Sequence, residues 1–224
     1  RGITDLPLTV LCSHAHYDHL LGARWFERVL LPAEEVPACR RNTGLPLRRR
    51  VLRRAESLGV PLSVQEREAY LAFKLPKPAP LEERAFDLGG LHVRVQPMPG
   101  HTPGSVGLWV EEARLLLAGD NLNPVVWLFF RDCAPLARYV ETMRGILDLP
   151  FTHALCPHAD KPFARGAVEA YVEGLRPETF RGAEKVSIPP YGRIDTRRCS
   201  PAEGFTLVFD AGKAFADEPG ADPG

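Results

Sequence analysis

The spacing of apolar residues along the chain predicts strands and helices that interleave. Short apolar runs bounded by turn residues, and runs in which apolar and polar residues alternate, are typical of strands. The predicted strands span residues 6–11, 86–88, 91–95, 105–110, 114–118, 151–156 and 205–209. Gly89 and Gly90 separate the second of these strands from the third, so we expect a tight hairpin between them.

Apolar residues at helical spacing predict helices between the strands. The predicted helices span residues 45–58, 132–147 and 162–175, and Asp132 is the expected N-cap of the second. Residues 74–80 contain three prolines, which favour an extended connection because proline lacks the backbone N–H that a helix needs. Interleaved strands and helices indicate an α/β or α+β fold with mixed sheets.

Composition and charge narrow the class of protein. The chain has 224 residues, of which 45% are hydrophobic, and its 28 basic residues balance its 28 acidic residues. This mixture is typical of a globular chain, and it excludes both a uniformly basic nucleic-acid binder and a highly charged disordered chain. We expect a single domain over residues 1–215, followed by a flexible tail at 216–224.

The cysteines and the apolar runs indicate in which cellular compartment the protein is expected. The five cysteines are scattered and form no CxxC pair, which is typical of reduced thiols and favours a cytoplasmic protein. The longest uninterrupted apolar run, at 125–130, is far too short to span a bilayer. No membrane partner is therefore expected.

The strongest chemical signal is a cluster of histidines near the start of the chain. Residues 13–19 read Ser-His-Ala-His-Tyr-Asp-His, so three of the seven histidines fall within six positions. A loop that leaves a strand end can direct such side chains to one point, and imidazole and carboxylate are ligands that zinc and iron prefer. The pattern predicts a metal site formed by His14, His16, Asp18 and His19.

Three further positions support the metal site. His101 lies in a loop rich in glycine and proline, and Asp120 and His158 each come directly after another predicted strand. All of these positions follow strand ends, where α/β sheets gather their functional residues. The combined set of five histidines and two aspartates is sufficient for two metal ions.

In order and spacing, these residues resemble the metallo-β-lactamase superfamily of hydrolases. The similarity covers residues 7–158 and is carried by the HxHxDH motif, the loop at 99–104 and the Ala-Gly-Asp sequence at 118–120. The resemblance implies an αββα sandwich, in which two mixed sheets are flanked by helices and the site lies at one edge between the sheets. Several strands precede the HxHxDH motif in that family and almost none do here, so we expect the fold to be N-terminally incomplete.

The resemblance also implies a role for each of the seven positions. By position, His14, His16 and His101 would bind one metal ion, Asp18, His19 and His158 would bind a second, and Asp120 would bridge the two. Asp18 and Asp120 are then also the candidate catalytic residues. The expected cofactor is a pair of divalent metal ions, with zinc favoured and iron or manganese as alternatives.

This ligand set is typical of hydrolytic chemistry. Two divalent ions held roughly 3.5–4 Å apart share a water molecule and lower its pKa towards neutrality. The resulting hydroxide attacks a carbonyl or phosphoryl centre, so no serine or cysteine nucleophile is needed. The loop at 99–104 together with Asp120 resembles hydroxyacylglutathione hydrolases and lactonases, which implies a small-molecule thioester, ester or lactone as substrate.

Two other functions remain open, as does the oligomeric state. Phosphodiesterases and RNA-processing nucleases of the superfamily share these ligands, and seven arginines between residues 40 and 54 offer a candidate phosphate-binding surface. Zero net charge argues against a large nucleic-acid footprint, so we interpret this run as the solvated face of a helix and expect no nucleic-acid partner. The other alternative is a metal-stabilised, non-catalytic scaffold or degraded paralogue.

Four other features are given structural roles or left open. His92 alternates with apolar neighbours and is expected on the polar face of its strand, and His153 is expected to be a structural histidine. Tyr17 can lean over the site or pack elsewhere. The apolar run at 125–130 can be core or the wall of a substrate pocket.

Overall fold

The computed structural model describes residues 4–189 and 191–214. Internal contacts divide the chain into an N-terminal unit, Arg1–Glu82, and a C-terminal unit, Glu83–Gly224. The single domain expected over 1–215 stays a prediction, and the tail expected at 216–224 lies outside the described residues.

The N-terminal unit contains a parallel sheet and several helices. Its strands are β1 (Thr9–Leu11), β2 (Arg28–Leu31) and β3 (Ala79–Pro80), which lie side by side in that order and run parallel. Its helices are α1 (Tyr17–Leu20), α2 (Val36–Thr43), α3 (Leu45–Ser57) and α4 (Val64–Ala72), and 3₁₀ turns cover Leu21–Trp25 and Ala33–Glu35. Buried residues of the sheet and the loops that follow it, such as Ala15, Leu20, Val29 and Leu31, form the core of this unit.

Local sequence explains where two helices of this unit begin and end. α3 has a proline in its first turn, and Gly59 follows its end in the left-handed conformation, with φ of +72°. α4 begins with a capping box, in which the Ser63 hydroxyl accepts the Glu66 N–H and the Glu66 carboxylate accepts the Ser63 N–H. The helix predicted over 45–58 and the extended connection predicted at 74–80 are confirmed.

The C-terminal unit contains two mixed sheets. Its strands are β4 (Ala85–Asp87), β5 (His92–Pro97), β6 (Val106–Val110), β7 (Leu115–Leu117), β8 (Val125–Leu128), β9 (His153–Leu155), β10 (Phe163–Ala164), β11 (Glu184–Lys185), β12 (Thr196–Cys199) and β13 (Thr206–Asp210). The first sheet has the order β10-β9-β7-β6-β5-β4 and is antiparallel except for the pair β7–β9. The second has the order β11-β12-β13-β8 and is antiparallel except for the pair β13–β8.

Helices of this unit share one core with both sheets. They are α5 (Leu136–Gly145), α6 (Arg165–Gly174), α7 (Pro177–Arg181) and α8 (Ala211–Ala214), and 3₁₀ turns cover Gly119–Asn121 and Ile146–Asp148. One buried cluster joins Leu116 of the first sheet and Leu207 of the second to Tyr139 of α5 and Tyr171 of α6. The predicted fold class, a mixed α/β fold with several sheets and helices, is confirmed. In the described part of the chain, no helix combines the length and the apolar character that crossing a membrane requires.

The two-glycine hairpin is confirmed, whereas two predicted element boundaries differ. Gly89 and Gly90 connect β4 to β5 with φ of +75° and +112°, which residues with a side chain rarely adopt. The N-cap predicted at Asp132 is wrong, because Pro135 occupies the N-cap position of α5 and Asp132 lies in the preceding turn. The helix predicted over 162–175 starts late because its first residues pair with β9 as strand β10.

Candidate metal centre

The HxHxDH residues lie where β1 ends and α1 begins. His16 occupies the N-cap position of α1, and Asp18 and His19 lie in the helix itself. The ring centroid of His14 lies 4.8 Å from that of His16 and 4.2 Å from that of His19. The Asp18 Oδ2 atom lies 3.7 Å from the His19 Nε2 atom. Within the N-terminal unit, the four predicted ligands are therefore brought together.

Two polar side chains hold the backbone of this loop between its first two histidines. The Ala15 N–H donates to the Glu35 Oε2 atom at 2.9 Å, and the Ala15 carbonyl accepts from the Asn42 Nδ2 atom at 2.9 Å. Glu35 is only 1% exposed, although carboxylates are rarely buried unless they are paired. Sequence reasoning missed both Glu35 and Asn42, because their roles depend on contacts with a distant loop. Glu34 is as acidic as its neighbour Glu35, and only the tertiary contact with Ala15 distinguishes the two.

A side chain of the motif also orients its most buried histidine. His14 is fully buried, and its Nδ1 atom lies 3.0 Å from the Ser13 hydroxyl. A hydrogen bond at one ring nitrogen sets the orientation of the imidazole and directs the other nitrogen towards a metal. This contact makes Nε2 the metal-binding atom expected of His14.

In the C-terminal unit, Asp120 lies between two histidines. His101 follows β5, Asp120 lies in the 3₁₀ turn after β7, and His158 follows β9. The Asp120 Oδ2 atom is 3.4 Å from the His101 Nε2 atom and 3.5 Å from the His158 Nε2 atom. These three predicted ligands are brought together at strand ends of one sheet, as expected for sites in α/β sheets.

The tautomer of His101 follows from its backbone contact. Its Nδ1 atom lies 2.8 Å from the Trp127 carbonyl oxygen. A carbonyl oxygen only accepts hydrogen bonds, so Nδ1 carries a proton, and in the neutral imidazole Nε2 presents a lone pair. In that neutral form, Nε2 and the Asp120 carboxylate are two electron donors that lie close together, an arrangement that a cation stabilises. The donor set therefore fits a divalent metal ion of the kind that nitrogen and oxygen ligands hold.

Asn121 connects the loop of His101 to the turn of Asp120. Its Oδ1 atom accepts the His101 N–H at 2.8 Å, and its Nδ2 atom donates to the Met98 carbonyl at 2.6 Å. Its own carbonyl accepts the Tyr139 hydroxyl at 2.8 Å. A Cβ atom at Gly100 would lie 2.3 Å from the Asn121 Oδ1 atom, which explains the glycine there. Sequence reasoning missed Asn121, although its position directly after Asp120 was a usable signal.

The cysteines take no nucleophilic part in this arrangement. All five are buried thiols, and burial raises the pKa of each, to about 11 for Cys12 and about 12 for Cys133. Cys156 precedes His158 by two residues, and the nearby charge of Asp120 adds to the effect of burial on its pKa. Because the thiolate is the nucleophilic form of cysteine, these thiols are inactive at neutral pH.

Three residues singled out from the sequence lie outside the two ligand groups. His92 is exposed on β5 and pairs with Glu112, which raises the pKa of the imidazole, so its predicted position on a polar face is confirmed. His153 is exposed, and its Nδ1 atom lies 3.2 Å from the Thr152 hydroxyl. Tyr17 is 40% exposed on α1.

The core interpretation of the apolar run at 125–130 is confirmed for part of the run, and the interpretation as the wall of a substrate pocket stays a prediction. Val126 and Leu128 are buried in the core, whereas Val125 and Trp127 are 46% and 39% exposed on the other face of β8. The alternation follows from the strand, whose successive side chains point to opposite faces.

The arginine run is a solvated helix face except at Arg48. The arginines at positions 40, 41, 49, 50, 53 and 54 are exposed, as predicted. The prediction is wrong for Arg48, whose guanidinium donates to the carbonyls of Tyr70, Leu71 and Phe73 at 3.0–3.1 Å and stacks 4.5 Å from the Phe73 ring centroid. Arg48 therefore ties α3 to the end of α4, where the last carbonyls of a helix need donors.

The fold and these ligand groups agree with the family comparison. The sequence model of the metallo-beta-lactamase superfamily matches residues 7–155, so the chain belongs to this superfamily. The matched range includes every predicted ligand except His158, which lies three residues beyond it.

Curated relatives and solved structures add detail at lower similarity. The chain is 26% identical over 157 residues to the acyl-coenzyme A thioesterase MBLAC2 of Gallus gallus and 25% identical over 147 residues to that of Bos taurus. These matches cover 66% and 64% of this chain but 53% and 51% of the relatives, so the chain spans about half the length of the curated relatives it matches.

The structural neighbours support the fold. A metallo-beta-lactamase superfamily protein from Sulfolobus tokodaii, ST1585, has a TM-score of 0.53 at 19% identity, covering 86% of this chain and 76% of its own. A double mutant of the sec-alkyl sulfatase PisA1 has a TM-score of 0.57 at 17% identity, covering 78% of this chain and 32% of its own.

Proposed function

We propose that the protein is a metal-dependent hydrolase and that its substrate is a small-molecule thioester. Membership in the metallo-beta-lactamase superfamily and similarity to relatives named acyl-coenzyme A thioesterases support the proposal. The observation that carries it is the position of Asp120, whose Oδ2 atom lies within 3.5 Å of the Nε2 atoms of both His101 and His158. A carboxylate shared between histidines of two different metal sites is what a bridged dinuclear centre requires.

The proposed centre uses all seven candidate residues. In it, His14, His16 and His101 would hold one divalent ion, Asp18, His19 and His158 would hold a second, and Asp120 would be shared by the two. When bound, the ions supply Lewis acidity, which polarises a carbonyl group and lowers the pKa of a water molecule.

The residues of the chain position the reactants. The bond from the His101 Nδ1–H to the Trp127 carbonyl keeps the ligand nitrogen in one orientation. The negative charge of Asp120 would offset part of the positive charge of the bound ions. Asp18, whose side chain is 43% exposed, is placed in the proposal as the acceptor that orients the attacking water.

Thioester chemistry suits this set of groups. Burial raises the pKa of the cysteine thiols, so the proposal assigns the attack on the thioester to water and not to a thiolate. A thiolate leaving group, with a thiol pKa of about 8.5, departs without a strong general acid, unlike an alkoxide. Acyl thioesters of glutathione and of coenzyme A share this chemistry, so both are candidate substrates.

A substrate panel tests the proposal. The full chain, loaded in turn with zinc, iron or manganese, is incubated with an acyl-coenzyme A, an acyl-glutathione, a lactone and a phosphodiester. Thiol release from at least one thioester, lost on chelation and restored by metal, is the expected result. Cleavage of the phosphodiester without the thioesters would instead support a nuclease-like activity. Bound metal without turnover of any substrate would support a non-catalytic scaffold.

A further inference from the structure

The N-terminal unit contains an apolar cavity that the metal-binding residues do not use. Its volume is about 590 Å³, within the usual range for small-molecule sites. Val51, Leu52 and Ala55 of α3 face Ala69 and Tyr70 of α4 across it. Neither helix has a fully buried residue, so their apolar faces are only partly covered within the part of the chain that the structure describes. The cavity therefore offers apolar surface to a ligand.

Cationic side chains border this apolar surface. Arg24 and Lys74 line the cavity, and the Arg24 guanidinium stacks 4.6 Å from the ring centroid of Phe73. The lining carboxylate, Glu66, is engaged in the capping box, where it accepts from the N–H and the hydroxyl of Ser63. A ligand that pairs an apolar chain with a negative charge matches this combination.

The Tyr70 hydroxyl points to a ligand with a polar atom. It is buried in the cavity wall and has no hydrogen-bond partner among the described residues. Burial raises the pKa of this phenol by more than the neighbouring Arg48 lowers it, and a neutral phenol can donate a hydrogen bond. A buried donor without a partner is costly, and an acceptor oxygen on a ligand would remove that cost.

The cavity wall includes part of the turn that follows the HxHxDH motif along the chain. Arg24 and Trp25 lie in the 3₁₀ turn that directly follows α1, the helix that carries Asp18 and His19. A ligand in this cavity therefore lies in the same unit as four of the proposed metal ligands.

We propose that this cavity binds the long aliphatic chain of an anionic acyl thioester, with Arg24 and Lys74 attracting its charged part and Tyr70 donating to an oxygen. This assignment rests on the proposed function and names the class of acyl group. It predicts a preference for long acyl chains over short ones, with an affinity gain of up to roughly fourfold for each methylene that enters the cavity.

Direct binding tests the assignment without any hydrolysis. A fluorescent long-chain fatty acid is titrated into the full chain and into Ala69→Trp, which fills the cavity from an exposed helical position. Ala72→Trp is the matched control, since Ala72 is exposed on the same helix but does not line the cavity. We expect binding to weaken about tenfold or more in Ala69→Trp and to change less than about twofold in Ala72→Trp. Equal binding by both variants would overturn the assignment.

A charge test gives a second, independent measurement. Lys74→Glu should weaken binding of dodecanoate but not of a dodecyl ammonium ion, whereas Lys77→Glu, outside the lining, should change neither. An equal effect of the two variants on dodecanoate binding would contradict the proposed attraction of the ligand's charge by Lys74.

Kinetics separate a failure of this assignment from a failure of the proposed function. If the chain binds fatty acids but hydrolyses no thioester, the proposed function fails, and the cavity remains a binding site for an aliphatic anion but not for the acyl chain of a substrate. If thioesters are hydrolysed, Ala69→Trp should raise the KM for a long-chain thioester about tenfold while leaving acetyl thioesters unchanged. A uniform effect on long and short thioesters would overturn the cavity assignment and leave the proposed function intact.

Discussion

The two ligand groups of this protein are built in opposite ways. In the N-terminal unit, His14, His16, Asp18 and His19 lie within six consecutive residues and converge because a strand runs into a short helix. In the C-terminal unit, three residues separated by 57 positions along the chain, from 101 to 158, converge because they follow strands of one sheet. The first group depends on local chain geometry, and the second depends on the assembly of a sheet.

The hydrogen bonds that hold the two groups also differ, in that one set is local and the other connects distant segments. The N-terminal loop is held at one residue, Ala15, whose N–H donates to the buried Glu35 carboxylate and whose carbonyl accepts from Asn42. The C-terminal group is held by a neutral network, in which Asn121 bonds to His101, Met98 and Tyr139, and the Tyr139 and Tyr171 hydroxyls lie 2.7 Å apart. The local motif is thus held through the backbone of one residue, whereas the residues from distant segments are held by a network that links several segments.

The largest effect should follow from removing one histidine of each group. His16→Ala with His101→Ala removes two of the three nitrogen ligands proposed for one metal ion, so metal content should fall from two ions per chain to one. Thioester turnover should fall by about three orders of magnitude, since one Lewis acid is worth several kcal/mol.

The matched control for this change is His92→Ala with His153→Ala, which removes two exposed histidines outside both groups. Elemental analysis and turnover are measured on the same samples. Two ions retained in the His16/His101 double variant would show that these residues do not share a metal.

Asp120→Asn should cost about two orders of magnitude in turnover. The amide keeps the shape and hydrogen-bonding capacity of the side chain but removes the charge that would offset two cations. The melting temperature should shift only modestly when metal is in excess. Steady-state rates and metal content are compared with those of Asp148→Asn, an exposed aspartate in another 3₁₀ turn. Normal turnover at full metal occupancy would show that Asp120 has only a structural role in its turn.

Glu35→Ala should lower metal affinity about 10- to 100-fold by releasing the backbone between His14 and His16. The variant leaves the buried Ala15 N–H without its acceptor, which costs about 1–3 kcal/mol of stability. Metal titration and thermal unfolding check both values. Glu34→Ala, at the exposed neighbouring position, should behave like the parent protein. Similar behaviour of the two variants would show that the loop needs no fixed point.

Asn121→Ala should reduce stability by about 1–3 kcal/mol, because the His101 N–H and the Met98 carbonyl both lose a buried partner. Asn121→Asp keeps the acceptor of the His101 N–H but places a buried negative charge against the Met98 carbonyl and next to Asp120, so it should be the more severe change. Denaturant unfolding distinguishes the two. An unchanged midpoint for Asn121→Ala would show that the C-terminal group does not depend on this network.

The smallest effect should come from the exposed basic face. Arg49→Glu with Arg53→Glu should change thioester turnover less than about twofold, since both residues are exposed on α3. Salt-sensitive RNA binding by the parent chain, lost in the Arg49/Arg53 variant, would favour the nuclease-like alternative.

Arg48→Met should instead destabilise the protein by about 1–3 kcal/mol, because three backbone carbonyls lose their donor.

Patterns that act over a few residues were sufficient to predict much of this protein. The Gly89-Gly90 hairpin, the helix over 45–58 and the mixed α/β class followed from turn residues and apolar spacing, because these depend on neighbours along the chain. The family was recognisable because its ligands occur in a fixed order. The prediction of Asp132 as the N-cap was wrong because the helix begins after Pro135, three residues later.

Only the tertiary structure decided which residues support those ligands. Glu35 and Glu34 are alike in sequence, and one of them is buried because the loop of Ala15 folds onto it. Arg48 lies in a run of exposed arginines and differs from them because the end of α4 presents its carbonyls there. The tautomer of His101 depends on the Trp127 carbonyl, 26 residues away. Chain-local patterns specify residue types and elements, whereas burial, hydrogen-bond partners and cavities arise from contacts between distant segments, which no local pattern contains.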